Sequence, residues 1–299
     1  MNPSKSILVT GASGLVGKPL CEALIQRGHI VRTVSRSGGG DYQWDVVKGQ
    51  LDPEALEGVD VVIHLAGESV AQRWSEAAKA RILDSRVDST KLLVDAILKQ
   101  TKRPDFICAS GISYYGIQAD GPVSESTVSG DGFLAQVTRQ WEGAAQPLEE
   151  ANIRVAYMRT GIVLSKDGGA LAKMLTPFKF GLGGRIGSGE QLMSWISLPD
   201  LVDAYVFTVE NETVVGPVNA VAPQPASNLG FTKTLGFVIG RPTIFPIPKA
   251  MIKLLFGEMG EETVLSDLGV LPQRLSQLGF KWQNPKLEQT LREAIYEDL

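Results

Sequence analysis

The chain carries at residues 10–17 the stretch Thr10-Gly11-Ala12-Ser13-Gly14-Leu15-Val16-Gly17, and this stretch decides its fold. The apolar run Ser6–Thr10 before it predicts a β-strand, and the periodic pattern after it predicts a helix over Gly14–Arg27. Of the three glycines, Gly11 permits a tight turn, Gly14 lets a bound diphosphate approach the backbone, and Gly17 lets the helix pack closely against the sheet. Free N–H groups and the positive end of the helix dipole then face the anion. The predicted dinucleotide-binding residues of this turn are Gly11, Ser13, Gly14, Leu15, Val16 and Gly17.

The pattern continues as an alternation of short apolar runs and helical segments. Further strands are predicted at His29–Ser35, Tyr42–Val46, Val59–Leu65, Asp105–Ser110 and Ile153–Arg159, with long helices at Ser75–Gln100 and Gly132–Ala151. Strand–helix alternation with nearly continuous apolar strands is typical of an α/β fold with a doubly wound parallel sheet, the Rossmann architecture.

The sequence pattern changes after residue 164. Glycine and proline are dense between Gly168 and Gly189, and the regular alternation stops. We therefore expect an NAD(P)-binding Rossmann domain over residues 1–164 and a smaller C-terminal substrate-binding lobe over residues 165–299. Some segments are expected to return to the sheet, such as one further strand at Gly216–Ala220. A cleft between the two parts is the natural place for a small-molecule substrate.

Composition excludes several classes of function. The 299 residues carry a formal net charge of −4 without a basic stripe, which argues against a nucleic-acid partner. The longest apolar runs, such as Val59–Ala66, are far shorter than the ~18–20 residues of a membrane span, so we expect no membrane partner. The start does not resemble a signal peptide, and the two cysteines do not form a disulfide scaffold, so we expect a cytoplasmic protein. The two histidines, His29 and His64, and the cysteine spacing indicate no metal site.

The residues that end the second strand bear on the choice of cofactor. Arg36 lies nineteen residues beyond Gly17, where an acidic residue would bind the adenosine ribose 2′-hydroxyl of NAD. A guanidinium instead offers planar donors to the 2′-phosphate of NADP, and Ser35 adds a hydroxyl. Asp41, in the neighbouring glycine-rich loop, keeps NAD open as the alternative. The pattern favours NADP over NAD.

Several stretches resemble the extended short-chain dehydrogenases, the NAD-dependent epimerase/dehydratase superfamily. They are Thr10–Gly17, the acidic–apolar pair Asp45-Val46, the strand Val61–Gly67, the helix Arg86–Leu93, and Ala109–Gly116. The resemblance implies that Asp45 and Val46 lie beside the adenine and that Leu65, Ala66 and Gly67 lie along the cofactor. Arg73-Trp74, Trp141-Glu142, Arg159-Thr160-Gly161 and Gly257-Glu258-Met259 are similar to one atypical branch, the YfcH-like or SDR39U-type epimerase-like proteins, which have their own C-terminal domain.

The same resemblance implies a Ser, Tyr and Lys catalytic set, and here this sequence departs from the family pattern. The tyrosine and lysine positions fall on Phe133 and Val137, which neither transfer nor tune a proton. Ser110 best matches the family serine, with Ser113 as the alternate. The other candidate catalytic residues are Tyr114 and Glu68, and Arg159 is expected to orient the nicotinamide end or to pair with a carboxylate. His64, within an apolar strand, is interpreted as a core histidine.

Two functions follow from these features. The first is an NADP-dependent oxidoreductase or epimerase acting on a small polar carbonyl or alcohol, or on a nucleotide-sugar-like substrate, with the nicotinamide supplying the redox chemistry. The second is a non-catalytic NADPH-binding sensor or regulator, suggested by Phe133 and Val137. A homodimer through the helices at Ser75–Gln100 and Gly132–Ala151 is expected by analogy with the family.

Overall fold

A computed structural model describes residues 3–119 and 121–297. Its main sheet is parallel except for one antiparallel edge pair, and its eight strands lie in the order β11-β7-β6-β5-β1-β2-β3-β4. These strands are β1 (Ser6–Thr10), β2 (Ile30–Ser35), β3 (Tyr42–Asp45), β4 (Gln50–Leu51), β5 (Val61–His64), β6 (Asp105–Gly111), β7 (Val155–Thr160) and β11 (Gly216–Ala220). The order reverses at β1, so the carboxyl ends of β1 and β5 border the crevice where doubly wound sheets bind ligands. The predicted α/β doubly wound fold is confirmed.

Helices cover both faces of this sheet because successive strand residues point to opposite sides. On one face Ile7 and Val9 pack against α1 (Gly17–Gln26) and α6 (Leu198–Glu210). On the other face Leu8 packs with residues of three helices: α2 (Glu76–Leu98), α3 (Phe133–Gly143) and α4 (Gln146–Glu150). Fully apolar strands therefore have cover on both sides, as their composition predicts.

The remaining elements form the C-terminal lobe and its connections. Short two-stranded pairs join β8 (Ile162–Leu164) to β10 (Trp195–Ser197) and β9 (Leu192–Met193) to β12 (Ala226–Ser227). The helices of this part are α5 (Gly169–Lys179), α7 (Asn228–Val238), α8 (Lys249–Thr263), α9 (Gln273–Gln277) and α10 (Leu287–Tyr296). Because β11 pairs with β7 and α6 packs on the main sheet, residues beyond 164 contribute to both parts. The domain boundary at residue 164 stays a prediction.

Two predicted helices differ from the observed ones. The opening helix begins at Gly17 rather than Gly14, because residues 11–16 form the turn. The segment Gly132–Ala151 contains two helices rather than one, since α3 ends at Gly143 and α4 restarts with Pro147 in its first turn. Proline lacks an N–H and is tolerated best in the first turn of a helix, which favours a new helix start at Pro147 over a continuation of α3. In the described part of the chain, none of the helices has both the length and the apolarity that crossing a bilayer requires.

Candidate cofactor and catalytic site

The glycines in the turn between β1 and α1 allow backbone contacts too close for any other residue. A Cβ on Gly17 would lie 2.1 Å from the Gly11 carbonyl oxygen, and one on Gly11 would lie 2.9 Å from the Ala66 nitrogen. Gly11 also has a φ of 71°, which favours glycine. The N-cap residue of α1 is Val16, whose side chain has no hydrogen-bonding atom, and Gly14 is exposed. The Lys18 amide donates to the Gly14 carbonyl at 3.1 Å and Pro19 has no N–H, whereas the amides of Leu15, Val16 and Gly17 have no acceptor among the described residues, as an anion site needs.

A second helix begins beside this turn, which the sequence did not indicate. A Cβ on Gly168, the N-cap of α5, would lie 3.3 Å from the Leu15 side chain. Leu15 is thus held between α1 and the start of the C-terminal lobe. Ser13 is exposed beside it, and Val16 is half-buried. The turn is open toward solvent on one side and covered by residues 168–169 on the other.

At the end of β2, Arg36 and Asp41 are in different situations. Asp41 Oδ2 accepts hydrogen bonds from the Thr33 amide at 2.8 Å and from the Thr33 hydroxyl at 3.0 Å. Arg36 is exposed directly after the strand, and within the described residues it makes no hydrogen bond or ion pair. The Ser35 hydroxyl accepts a hydrogen bond from the Ser37 amide at 3.2 Å. Asp41 therefore closes the glycine-rich loop, while the guanidinium of Arg36 has no partner among the described residues.

The pair predicted to flank the adenine lies at the end of β3. Asp45 Oδ1 accepts a hydrogen bond from the Lys48 amide at 3.1 Å, and its other oxygen lies 3.0 Å from Lys48 Nζ. Hydrogen bonding from Lys48 lowers the pKa of Asp45, which holds it ionised. Val46 lines an open groove of about 360 Å³ together with Leu51 and residues of α2. The adenine role of Asp45 and Val46 stays a prediction.

The carboxyl end of β5 is held by a buried hydrogen-bond chain around His64. His64 Nδ1 lies 2.7 Å from Thr10 Oγ1, and Nε2 lies 3.0 Å from Ser89 Oγ. Ser89 donates its proton to the Ser85 carbonyl at 2.6 Å, so it must accept from His64 Nε2–H. Thr10 then donates to Nδ1 and accepts from the Ala66 amide at 3.3 Å. Burial lowers the pKa of His64 to about 3, so the ring is neutral and structural, as interpreted from the sequence.

Beyond that chain, Leu65 and Ala66 are half-buried and Gly67 is exposed at the edge of the sheet. Arg86, on α2, lies against Gly67: a Cβ there would be 3.2 Å from the guanidinium carbon. Its guanidinium also lies 5.0 Å from the centre of the Trp141 ring and donates to the Ile82 carbonyl at 2.9 Å. Burial lowers the pKa of Arg86 to about 10, so it remains charged at neutral pH. No other hydrogen bond and no ion pair of this side chain is found in the described residues.

Sequence reasoning placed Arg86 in a family helix and missed it as a site residue. The signal was present, because an arginine on the buried side of a helix is rarely left without a carboxylate partner. This signal identifies Arg86 as a site residue only once the position of α2 beside Gly67 is known. A charged group with unused donors beside Gly67 suits a ligand that carries acceptors.

A buried ionic network crosses the carboxyl ends of β6, β7 and β11. Glu142, 9% exposed, accepts hydrogen bonds from Arg159 Nε at 2.8 Å, Arg159 Nη2 at 2.7 Å and Ser110 Oγ at 2.7 Å. Arg159, 3% exposed, is the register partner of both Ser110 and Asn219. Although burial opposes it, the Glu142 carboxylate raises the pKa of Arg159 above its usual value.

Two tyrosines complete this network. Tyr115 donates its hydroxyl proton to Asn219 Oδ1 at 2.7 Å and accepts from Arg159 Nη1 at 3.0 Å. Burial raises the pKa of Tyr115, which keeps it protonated. The Arg159 guanidinium lies 3.4 Å from the centre of the Tyr114 ring, a close stacking contact. Among the described residues, the Tyr114 hydroxyl has no hydrogen-bond partner.

The predicted catalytic residues therefore differ in whether their polar groups are already bound by other side chains. Ser110 and Arg159 are committed to Glu142, whereas the Tyr114 hydroxyl is free. Glu68, half-exposed after Gly67, accepts from Gln72 Nε2 at 3.2 Å and lies 3.8 Å from Arg81. Ser113, the alternate serine, lies next to Gly111: a Cβ on Gly111 would be 3.1 Å from its hydroxyl. The roles predicted for Ser110, Tyr114, Glu68 and Arg159 stay predictions.

The start of α3 carries apolar groups where the family resemblance implies acid–base residues. Val137 is buried, and Phe133 packs edge-on against Trp74 at 4.9 Å between ring centres. Lys79 Nζ lies 5.3 Å from the centre of the Phe133 ring and 2.5 Å from Glu258. The nearest ammonium group is thus paired with a carboxylate of α8.

The C-terminal lobe also caps α3. Glu262, on α8, accepts hydrogen bonds from the amides of Phe133 at 2.7 Å and Leu134 at 2.8 Å. Its negative charge lies at the positive end of the helix dipole, where a carboxylate is stabilising. The sequence separation of 128–129 residues hides this cap from any local pattern. The lobe therefore sets the position of Phe133 at the candidate site.

Sequence comparison now decides the family. The profile of the NAD dependent epimerase/dehydratase family matches residues 7–220, which span the turn, β5, the ionic network and β11. The chain belongs to this family. A second profile, the domain of unknown function DUF1731, matches residues 247–294, which contain α8, α9 and α10. The predicted resemblance to the epimerase/dehydratase superfamily, with a C-terminal domain of its own, is confirmed.

Relatives within the epimerase/dehydratase family match nearly the whole chain. The epimerase family protein Mb2239 of Mycobacterium bovis is 38% identical over 95% of this chain and 96% of its own length. Human epimerase family protein SDR39U1 is 35% identical over 97% of this chain and 99% of its own. A crystal structure of human SDR39U1 with NADPH superposes with a TM-score of 0.87, at 33% identity, covering 97% of this chain and 98% of that one.

Proposed function

We propose that this protein is an NADP(H)-dependent oxidoreductase or epimerase that acts on a small polar carbonyl or alcohol, including nucleotide-sugar-like compounds. One observation carries the proposal: the turn at Gly11–Gly17 leaves no room for a Cβ at two glycines and leaves the amides of Leu15, Val16 and Gly17 without an acceptor among the described residues. The human relative crystallised with NADPH supports the same cofactor.

The residues around the turn favour NADP over NAD. Arg36 has unused guanidinium donors for a 2′-phosphate, and Asp41 is occupied by Thr33. An NAD-binding site needs an acceptor for the 2′-hydroxyl at this strand end, and Asp41 offers only Oδ1 for it, because Oδ2 already accepts two hydrogen bonds from Thr33.

When bound, the nicotinamide supplies the hydride. Arg86 is placed to hold the cofactor, since its guanidinium lies beside Gly67 and forms no ion pair among the described residues, while the Glu68 charge acts on it from a greater distance. Arg86, on α2, would then supply the positive charge that a lysine at position 137 would supply in the family pattern. Val137 has no polar atom for it.

Proton transfer falls to the groups that remain free. The Tyr114 ring stacks against Arg159, which fixes the ring in place, and its hydroxyl has no hydrogen-bond partner among the described residues. Glu68 is the second candidate, because its carboxylate follows Gly67 directly. Ser110 has a positioning role: its hydroxyl donates to Glu142, and this hydrogen bond helps to hold Glu142 against Arg159.

The test of cofactor choice uses the exposed arginine. We expect the purified protein to bind NADPH more tightly than NADH, as measured by tryptophan-to-nicotinamide fluorescence transfer. Arg36→Asp should remove the preference, with a loss of roughly tenfold or more for NADPH because one charge-assisted contact is lost. Arg27→Asp changes another exposed arginine, one that lies 3.4 Å from Glu210, and should leave the preference unchanged. Equal affinities for both cofactors in the unmodified protein would contradict the proposal.

A second candidate function is a non-catalytic NADPH-binding sensor, and Phe133 and Val137 favour it. Deuteride transfer from labelled NADPH to a panel of carbonyl compounds separates the two functions. Transfer that is lost in Tyr114→Phe but retained in Tyr296→Phe, a change at an exposed tyrosine, supports the enzyme. Tight NADPH binding without any transfer supports the sensor. The homodimer and the cytoplasmic location stay predictions.

A further inference from the structure

One surface of the C-terminal lobe exposes large apolar side chains in a cluster. Two segments form it, residues 180–187 and residues 244–256. They run side by side, since the Ile247 amide donates to the Arg185 carbonyl at 2.8 Å and the Gly187 amide donates to the Ile247 carbonyl at 2.9 Å. The exposed side chains, called the apolar patch below, are Phe180, Leu182, Ile244, Phe245, Leu254 and Leu255.

These side chains protrude rather than line a recess. Leu254 is 85% exposed, Phe180 77% and Ile244 73%. In the first eight residues of α8, from 249 to 256, the structure buries Ile252 alone. Large exposed apolar side chains grouped on one surface mark sites of interaction with a partner or a membrane.

Charge sets the apolar patch apart from the rest of the molecule. Residues 168–189 and 240–257 contain no aspartate or glutamate, although the whole chain has 33 acidic against 29 basic residues. The same two segments contain six basic residues: Lys173, Lys179, Arg185, Arg241, Lys249 and Lys253. Lys173 Nζ donates to the Ala71 carbonyl in the loop after β5 at 2.8 Å, so the basic collar beside the patch consists of Lys179, Arg185, Arg241 and Lys249. Within it, Arg241 Nε donates to the Lys179 carbonyl at 2.8 Å. Lys253 is paired with Glu261, outside the acid-free segments.

We propose that the apolar patch docks this protein onto the surface of an anionic lipid bilayer. Protruding apolar side chains within a basic collar are the features of proteins that lie at a membrane interface. The side chains would enter the interfacial region, while the collar would contact lipid phosphate groups. The expectation of no membrane partner concerned spanning segments, and a peripheral contact requires none.

The charge distribution argues against a second copy of the chain as the occupant. A two-fold symmetric contact places the same surface on both partners. It would bring the basic collar of one copy against that of the other, and like charges in an interface are unfavourable. An anionic bilayer complements both the charge and the protruding shape.

The far half of α8 connects this surface to the candidate site. Beyond the kink at Gly257, Glu258 pairs with Lys79 and Glu262 caps α3 at Phe133. The apolar patch therefore stands on a helix whose other end is fixed beside Phe133. Docking would hold the candidate site near the bilayer, so we expect the protein to bind its substrate at the membrane surface.

The experiment is flotation with two kinds of vesicle, one of phosphatidylcholine alone and one with equal parts of phosphatidylglycerol. We expect binding to the anionic vesicles that falls as NaCl is raised from about 50 to 500 mM, because salt screens the collar. The double change Leu254→Ser, Leu255→Ser should weaken binding at least about tenfold, equivalent to about 1.4 kcal/mol. The double change Lys179→Glu, Lys249→Glu should abolish binding to the anionic vesicles.

Matched controls take the same changes to other surfaces. Ile25→Ser with Val128→Ser replaces exposed apolar residues elsewhere, and Lys281→Glu with Lys286→Glu reverses two exposed charges between α9 and α10. Both should bind vesicles as the unmodified protein does, and all variants should retain NADPH-dependent thermal protection, which shows that they fold. The proposal is overturned if the unmodified protein does not float with anionic vesicles, or if the leucine variant floats equally well. It is also overturned if light scattering shows a dimer that the leucine change converts to monomer.

Discussion

Replacing Glu142 by glutamine is expected to destabilise this protein by about 3–5 kcal/mol, the usual cost of removing one partner of a buried ion pair. The carboxylate accepts two hydrogen bonds from Arg159 and one from Ser110, all between 2.7 and 2.8 Å. Glutamine keeps the shape and one acceptor oxygen but removes the charge. Arg159, 3% exposed, would then be a buried cation without a carboxylate.

Urea unfolding followed by far-ultraviolet circular dichroism measures this loss. With a denaturant dependence of about 3 kcal/mol/M, the midpoint should fall by about 1 M or more. The matched control is Glu288→Gln, which breaks an exposed pair with Arg292 at 2.9 Å, and we expect a change of less than about 0.5 kcal/mol there.

A double-mutant cycle separates the charge from other effects of substitution. Arg159→Met removes the cation, and the combined variant leaves no buried charge. The two single losses should therefore sum to more than the loss of the double variant, by about 2–3 kcal/mol. A loss below about 1 kcal/mol for Glu142→Gln, or additivity within about 0.5 kcal/mol, would refute the reasoning.

Two further predictions concern His64 and Glu262. Because burial lowers the pKa of His64 from 6.5 to about 3, the unfolded chain binds a proton below pH 6.5 that the folded protein does not. This contribution to stability is fully present above pH 6.5 and is lost as the pH falls toward 3, by up to about tenfold in the folding constant per pH unit. Urea unfolding between pH 7 and 4.5 should show that His64→Gln has a shallower pH dependence than the unmodified protein; equal slopes would contradict the assignment. Glu262→Ala should lower stability by about 1–2 kcal/mol through loss of the α3 cap, seen as a melting point ~2–5 °C lower. Glu261→Ala, at the neighbouring residue, should shift it by less than ~1 °C, and equal shifts for both variants would exclude a specific cap.

Local patterns predicted those parts of the fold whose causes are local. The spacing of Gly11, Gly14 and Gly17 after an apolar strand identified the turn, because the close approach of Gly17 to Gly11 lies within eight residues. The same is true of Arg36, which follows a strand that the pattern located. The break between α3 and α4 was missed although Pro147 signalled it, since the apolar periodicity on both sides was read as one helix.

The chemistry of the candidate site was harder to predict because its residues come from distant parts of the chain. Ser110, Glu142 and Arg159 were each singled out, but their shared network was not. It depends on the register of β6 against β7 and on which face α3 presents. The structure shows that the Ser110 hydroxyl donates its proton to Glu142, and the predicted contact of Ser110 with a substrate stays a prediction. Arg86 was not considered, because the position of α2 against Gly67 follows from packing.

The sequence alone determined the fold class, the dinucleotide turn and the departure from the family's tyrosine and lysine at Phe133 and Val137. These follow from the identity and spacing of neighbouring residues. Tertiary structure alone decided that Arg86 faces Gly67, that Glu262 caps α3 and that Leu254 and Leu255 are exposed. Each of these depends on contacts between segments remote in sequence, or on their absence. A leucine side chain generally favours burial, and only the tertiary structure shows which leucines remain exposed to solvent.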